Sequence, residues 1–469
     1  MTGRLVVISN RIPTEAEPSG GLVVALHDCL SEIGGLWVGC APDPVAQPST
    51  SLTQVGSGAY ERMVFEITPQ EHDGFYLGYA NSVLWPLMHR RRGLIDFRTE
   101  YADLYLSVNM RVARLLADEL RSDDLIWVQD YHFFPLAQAL RALGIGNRIG
   151  FFLHTPFPLA ADLPALPQGD EFLDWLTAFD LIGLQTERDV AAFLELARGD
   201  AETETLLTGR VRKGRRVTSV ASFPIGIDPD EFARVATRND AGPMLDLPTG
   251  ERLIIGVERL DYSKGLTERF QGFERYLGDR SDADPRATFL QIAALSREGL
   301  GAYRDIRAEL EALAGRVNGR HGDVDWMPIR LLSNAVPRDR VAQLMRRADI
   351  CLVTPLADGM NLVAKEFVAA QSAHDPGVLI LSHFAGAAEQ LTEALIVNPY
   401  DTQDIANAIA RAINMPLEER KARHATLLRT IRTQDIAWWT RTYLGRLQHG
   451  NASVPPGART TDASSPEVA

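Results

Sequence analysis

The 469-residue chain is 45% apolar and 23% charged, enough for substantial cores and too long for one ordinary domain, so two or three domains are expected. Its 48 Lys plus Arg against 61 Asp plus Glu leave a formal charge of −13, which argues against a general nucleic-acid or anionic-membrane surface and requires any anion site to be local. The three cysteines, Cys29, Cys40 and Cys351, form no C-x-x-C pair, so neither a disulfide framework nor a zinc cluster is expected and a reducing cytoplasm fits best.

In chain order, the N-terminal apolar run is shorter than the core of a signal peptide, and nowhere do about 18 apolar residues run together, so a soluble cytoplasmic protein with no transmembrane helix is expected. Short β-branched runs at 4–9, 36–39, 63–67, 125–129, 149–153, 181–185 and 217–222 alternate with segments of helical period, which predicts parallel βαβ units. Residues 239–250 are rich in turn formers and poor in apolar periodicity, and read as a linker. A second series follows at 253–257, 288–293, 325–329, 350–354, 378–381 and 394–397. The fold class is therefore α/β, two doubly wound parallel sheets, with domains at 1–238 and 239–435. From about 450 to 469 the chain is Pro, Ser, Thr, Ala and Gly and is expected to be disordered.

Open α/β sheets bind ligands beyond the carboxyl ends of their strands, and Asp130, His154, Arg259 and Asp358 all fall there. Arg259 and Lys264 place two cations after a strand, which suits a diphosphate. Asp358 to Glu366 opens a helix whose amides and dipole favour the same anion, with Glu366 positioned for two ribose hydroxyls. Gly20-Gly21 precedes another helix and lets backbone approach a phosphate or sugar, although such a pair is more often only a turn. Tyr76, Tyr79 and Trp85 either pack or wall a sugar pocket. Asp323-Val-Asp325 abuts Trp326 in an expected strand and is discounted as a metal site. No Walker A or G-x-G-x-x-G pattern is present.

From Arg4 to about Leu447 these motifs, in this order, resemble the trehalose-6-phosphate synthases of glycosyltransferase family 20. The match includes Ser9-Asn10-Arg11, Gly20-Gly21-Leu22, Asn81 to Pro86, Asp130-Tyr131-His132, Gly150 to His154 and Phe223 to Ile227. It continues through Val257 to Gly265, Asp358 to Glu366 and Asn398 to Asp401. The resemblance implies a GT-B fold in which an acceptor-binding domain faces a donor-binding one and the last helix, about 436–449, returns to the first. It implies transfer of glucose from UDP-glucose to glucose 6-phosphate, giving α,α-trehalose 6-phosphate and UDP with retention, by front-side attack and without a metal or other cofactor.

By position, the resemblance implies that Arg259, Lys264 and the amides of Leu362 and Val363 hold the donor diphosphate, that Glu366 binds ribose and that Val336 lies by the base. Asp358 and His154 would contact the donor glucose, with Gly20 and Gly21 beside it. Arg11, Tyr76, Trp85, Asp130 and Arg297 would form the glucose 6-phosphate pocket, Arg11 and Arg297 clamping its phosphate. The catalytic set is Arg259, Lys264, Asp358, His154 and Asp130. A homo-oligomer, tetramer or dimer, is expected, with no nucleic-acid or membrane partner. Thr155, where family members often carry Ile, and Val336, where they carry a bulkier residue, depart from the pattern and leave open the anomer or acceptor handling and the nucleotide base. Two rival readings are a related synthase such as a glucosylglycerol-phosphate synthase using ADP-glucose, and a non-catalytic sugar-phosphate sensor.

Overall fold

The computed structural model describes residues 3–13, 21–238, 247–281, 284–295, 297 and 300–450. Gly20, most of the expected linker (239–246) and the tail from 451 lie outside them. The first sheet is built from β1 (Leu5–Ile8), β2 (Leu36–Cys40), β3 (Thr53–Gly56), β4 (Glu61–Phe65), β5 (Leu125–Gln129), β6 (Arg148–Phe152), β7 (Leu181–Leu184), β8 (Thr203–Leu206), β9 (Arg210–Lys213) and β10 (Arg216–Ser222). Its order is β3-β4-β2-β1-β5-β6-β7-β10-β9-β8, parallel from β4 to β10 and antiparallel at both edges. The second comprises β11 (Arg252–Arg259), β12 (Ala287–Ala294), β13 (Ile329–Leu332), β14 (Ile350–Val353), β15 (Val378–Ser382) and β16 (Leu395–Val397). It is parallel throughout, in the order β13-β12-β11-β14-β15-β16.

The central strands are buried along their whole length and almost wholly apolar because helices cover both faces of a parallel sheet. Helices leave the carboxyl ends of β11 and β14, so the residues just past those ends line one cleft between the sheets. One strand differs from expectation. The run at 325–329 starts as a turn in which Asp323 N and Trp326 O are joined, and pairing begins only at Ile329. Trp326 is therefore outside the sheet, where its ring receives Arg280 and Arg286, and Asp323 pairs with Arg286 at 2.7 Å.

The boundary expected at 238 also shifts. Helix Pro229–Ala236 packs on Arg338–Arg347 and Leu362–Ala370 of the second body, with Arg338 over Phe232 and paired to Glu231 at 3.2 Å. The chain thus crosses between bodies at Phe223–Asp228. It crosses back at Gln434–Asp435, where a Cβ on Gly226 would lie 2.4 Å from the Asp435 carbonyl carbon and Ile436 N donates to Ile227 O at 3.0 Å. Two adjacent strands of backbone, rather than one, join the bodies.

The last helix, Ile436–His449, lies on the first sheet. Trp439 sits 5.0 Å from the rings of both Trp127 and Phe152, and Tyr443 stacks on Trp127 at 4.7 Å while donating to Phe151 O at 3.0 Å. Gly183 in β7 makes room, since a Cβ there would lie 2.6 Å from the Tyr443 ring. Trp439 has no solvent exposure. Trp439→Ala is predicted to cost about 3–5 kcal/mol, the usual range for emptying a buried aromatic site; denaturant unfolding with a loss under about 1 kcal/mol would contradict this role.

Candidate active site

Arg259 ends β11, exposed toward the cleft, its guanidinium 5.7 Å from the centroid of the Trp85 ring. Asp261 then caps the short turn Tyr262–Lys264 by accepting from Ser263 N at 2.9 Å. Gly265 closes that turn at φ 62°, where a Cβ would lie 2.1 Å from Thr354 O, so only glycine lets the turn seat on the end of β14. Behind it Arg269 and Glu258 form a fully buried ion pair at 2.7 Å. Arg269 also donates to Thr354 Oγ1, Gln291 Oε1 and Lys264 O at 2.9, 3.0 and 3.3 Å, which satisfies the buried guanidinium and ties the turn to the sheet.

Lys264 Nζ lies 2.5 Å from Asp358 Oδ2, which also accepts from Asn361 Nδ2 at 3.1 Å. Asn361 stands at φ 71°, a strained conformation of the kind that clusters at ligand sites. It occupies the N-cap position of helix Leu362–Ala370 without supplying a cap, so Leu362 and Val363 begin the helix with amides at a positive dipole end and no side-chain oxygen on them. One turn in, burial raises the Glu366 carboxyl to about 7 despite Arg338 nearby. Val336, half-buried, precedes helix Arg338–Arg347 and packs beside the same core.

The other wall comes from the first body. Tyr76 and Trp85 lie on or just after an uncommon π-helical run, His72–Leu84, in which Asn81 and Ser82 side chains donate to the carbonyls of Tyr76 and Leu77. Arg11 donates to Tyr76 Oη at 3.2 Å. Arg297, at φ 52°, reaches over the Trp85 ring at 4.1 Å and donates to Tyr303 Oη at 2.7 Å and Tyr131 Oη at 3.3 Å. The indole of Trp85 therefore has Arg259 and Arg297 as neighbours, one from each expected substrate subsite, a doubled cation–π arrangement.

Asp130 directly follows β5 at φ 70° and accepts from His154 N at 3.2 Å; burial raises its carboxyl to about 7. His154 is held on both ring nitrogens, Nε2 at 2.9 Å from Gln129 Oε1 and Nδ1 at 3.4 Å from Gln185 Nε2, and burial pushes it down to about 3, so the ring is neutral at ordinary pH. The bodies meet at this point. A Cβ on Gly359 would lie 2.0 Å from His154 O, and one on Gly386 1.8 Å from Gly359 O. Lys365, buried and lowered by desolvation to about 7, donates across the junction to Ile225 O at 2.6 Å and within its own body to Gln390 Oε1 at 2.6 Å.

The structure thus gathers Arg11, Tyr76, Trp85, Asp130, His154, Arg259, Arg297, Lys264 and Asp358 around one cleft, with the start of helix Leu362–Ala370 beside Asp358. Gly21 opens helix Gly21–Ile33, while Gly20 falls outside the described residues. Sequence reasoning passed over Asp261, Glu258 and Arg269, Tyr131 and Tyr303, and the two glutamines on His154. Asp261 and Glu258 lie inside the Val257–Gly265 motif, but their ion-pair partners Arg297 and Arg269 lie outside it. Glu366 offers a test of its site character. Its stability contribution is complete below the unfolded value near 4.5 and is lost as pH rises through about 7. Glu366→Gln should therefore melt higher than the parent at about pH 8 and no higher at about pH 4, while nucleotide binding weakens about 10-fold or more. Equal melting shifts at both pH values would contradict the burial argument.

The model of the family described as Glycosyltransferase family 20 matches residues 6–449. A trehalose-6-phosphate synthase of Enterobacter sp. is 43% identical over 475 residues, covering 100% of both chains. Among solved structures, an α,α-trehalose-phosphate synthase (UDP-forming) from Burkholderia xenovorans in complex with glucose-6-phosphate superposes with a TM-score of 0.89 at 41% identity, over 95% of this chain and 100% of that one. An E. coli protein bound with UDP-2-fluoro glucose gives 0.90 at 42%, over 95% and 99%. These structures share the GT-B architecture of two facing parallel-sheet bodies. The chain belongs to glycosyltransferase family 20 and is a glycosyltransferase.

Proposed function

We propose that this chain transfers glucose from UDP-glucose to glucose 6-phosphate, releasing UDP and forming α,α-trehalose 6-phosphate with retention at the donor carbon. The observation that carries this reading is the indole of Trp85 with Arg259 on the donor side and Arg297 on the acceptor side. Two phosphorylated substrates meeting at one sugar-sized gap need such a divided set of cations. The relatives bound to glucose-6-phosphate and to UDP-2-fluoro glucose support the two halves separately.

In this reading the glycosidic carbon loses its bond to the diphosphate oxygen and gains one, on the same face, to the 1-hydroxyl of the acceptor. The hydroxyl proton passes to the departing phosphate oxygen, so atoms and charge balance without a protein acid. Negative charge grows on the leaving diphosphate as that bond breaks, and Arg259, Lys264 and the amides of Leu362 and Val363 bind it more strongly then than before. Those fixed positive groups supply what a divalent cation supplies elsewhere, so turnover without added metal is proposed. Asp358 shares Lys264 with the diphosphate and is placed for donor hydroxyls. His154, neutral and pinned by Gln129 and Gln185, lies beside the donor glucose and does not protonate it. Glu366 takes the ribose, Val336 lies toward the base, and Asp130 binds acceptor hydroxyls.

Arg259→Ala and Lys264→Ala are each predicted to lower kcat by about 100-fold or more, the scale of losing one preorganised charged donor. Near-normal turnover in either variant would remove its assigned role. Arg297→Ala is predicted to raise the KM for glucose 6-phosphate by about 10-fold or more through loss of a charge-assisted contact to phosphate; an unchanged KM would show that the phosphate is held elsewhere.

A further inference from the structure

Asp261 sits between Arg259 and Lys264 and has no solvent exposure. An ionised carboxylate in such a place costs several kcal/mol unless its oxygens are fully engaged. Each oxygen is engaged, and with a different subsite. Oδ1 accepts from Ser263 N at 2.9 Å and so fixes the turn that presents Lys264. Oδ2 accepts from Tyr303 Oη at 2.8 Å and lies 3.5 Å from Arg297 Nη1. Tyr303 is itself a relay, since its hydroxyl receives Arg297 Nη1 at 2.7 Å. Arg297 then extends to Trp85 and Tyr131 in the opposite body.

Among the described residues, Asp261 is the one charged partner of the Arg297 guanidinium. The Arg297 backbone stands at φ 52°, and its other side-chain partners are all neutral: the hydroxyls of Tyr303 and Tyr131 and the rings of Trp85 and Tyr303. Burial alone would raise the Asp261 carboxyl, yet Arg297, with His89, Arg259 and Lys264, holds it down at about 2.

We propose that Asp261 is a positioning residue for both substrates at once: one oxygen sets the donor-diphosphate turn, and the other sets the arginine that takes the acceptor phosphate. This rests on the function proposed above and adds a coupling between its two subsites. The coupling is rigid, because one carboxylate cannot shift toward Arg297 without pulling on the turn that carries Lys264. Acceptor charge bound at Arg297 is thereby felt by the donor cations through a single buried group.

The test separates the two oxygens. Asp261→Asn keeps an oxygen for Ser263 N and removes the charge facing Arg297, so the KM for glucose 6-phosphate should rise about 10-fold while that for UDP-glucose stays within about 3-fold. Asp261→Ala removes the cap as well, and should raise both KM values and weaken UDP binding measured by calorimetry. Tyr303→Phe removes only the relay, and should reproduce the acceptor effect in part without lowering kcat through the donor side. A merely structural carboxylate would instead give variants of lower melting temperature with both KM values unchanged, or with both raised equally in Asp261→Asn; either result overturns the proposal. If Asp261→Asn fails to fold, Tyr303→Phe decides the acceptor half. A wild-type protein that ignores glucose 6-phosphate overturns the functional reading and the acceptor half with it, and the donor half then stands or falls on UDP binding by Asp261→Ala.

Discussion

Like charges have to be held together in one cleft of an acidic protein, and the rest of the site follows from how that is done. Arg11, Arg259, Lys264 and Arg297 converge in a chain of net charge −13, and their mutual repulsion has to be offset locally. The fold keeps them apart from bulk acid and gives each a specific restraint. Asp358 holds Lys264, Asp261 and Tyr303 hold Arg297, Tyr76 holds Arg11, and the face of Trp85 is shared by Arg259 and Arg297. The ion pairs among them, Lys264–Asp358 and Arg297–Asp261, are not surface pairs of negligible worth. Those on Lys264 and Arg297 are largely buried, those on Arg11 and Arg259 face the open cleft, and together they leave positive charge directed at one place.

The same constraint explains why two bodies are needed. Trp85, Asp130 and His154 project from the first, and Arg259, Lys264, Asp358 and Arg297 from the second, so the relative placement of the bodies sets every distance between donor and acceptor. The contact is made at positions that tolerate little change. Gly359 and Gly386 bring backbone against backbone beside His154, and Lys365 bridges to the crossing strand at Ile225. Glu389 of the second body accepts from the amides of Glu187 and Arg188, the start of a first-body helix, at 3.0 and 3.3 Å. The only covalent links described are the two neighbouring crossings at 223–228 and 434–435, a geometry suited to hinge motion that assembles the site on binding.

Most of the architecture was legible because parallel strands buried on both faces leave unbroken apolar runs, as in Leu125–Val128 and Ile350–Val353. The antiparallel strands Thr53–Gly56, Thr203–Leu206 and Arg210–Lys213 were not, since short, polar segments such as Arg-Val-Arg-Lys carry no such signal. The π-helical run was also hidden: Gly74 and Gly78 pack there against Leu104 and Tyr101, a tertiary demand that no period of 3.6 announces. Residues just past strand ends gave away the site, because chain position alone puts them at the cleft. Asp261 did not stand out, for its importance lies in Tyr303, 42 positions on, and in Arg297.

The central claim is that the divided cations join two phosphorylated sugars without help from a metal. It is tested most directly by incubating the purified protein with glucose 6-phosphate, EDTA and UDP-, GDP- or ADP-glucose, following nucleotide release and reading the product linkage by NMR. The account predicts release of UDP with an α,α-1,1 linkage. Absence of turnover until a divalent cation is restored, or a product with any other linkage, would contradict it.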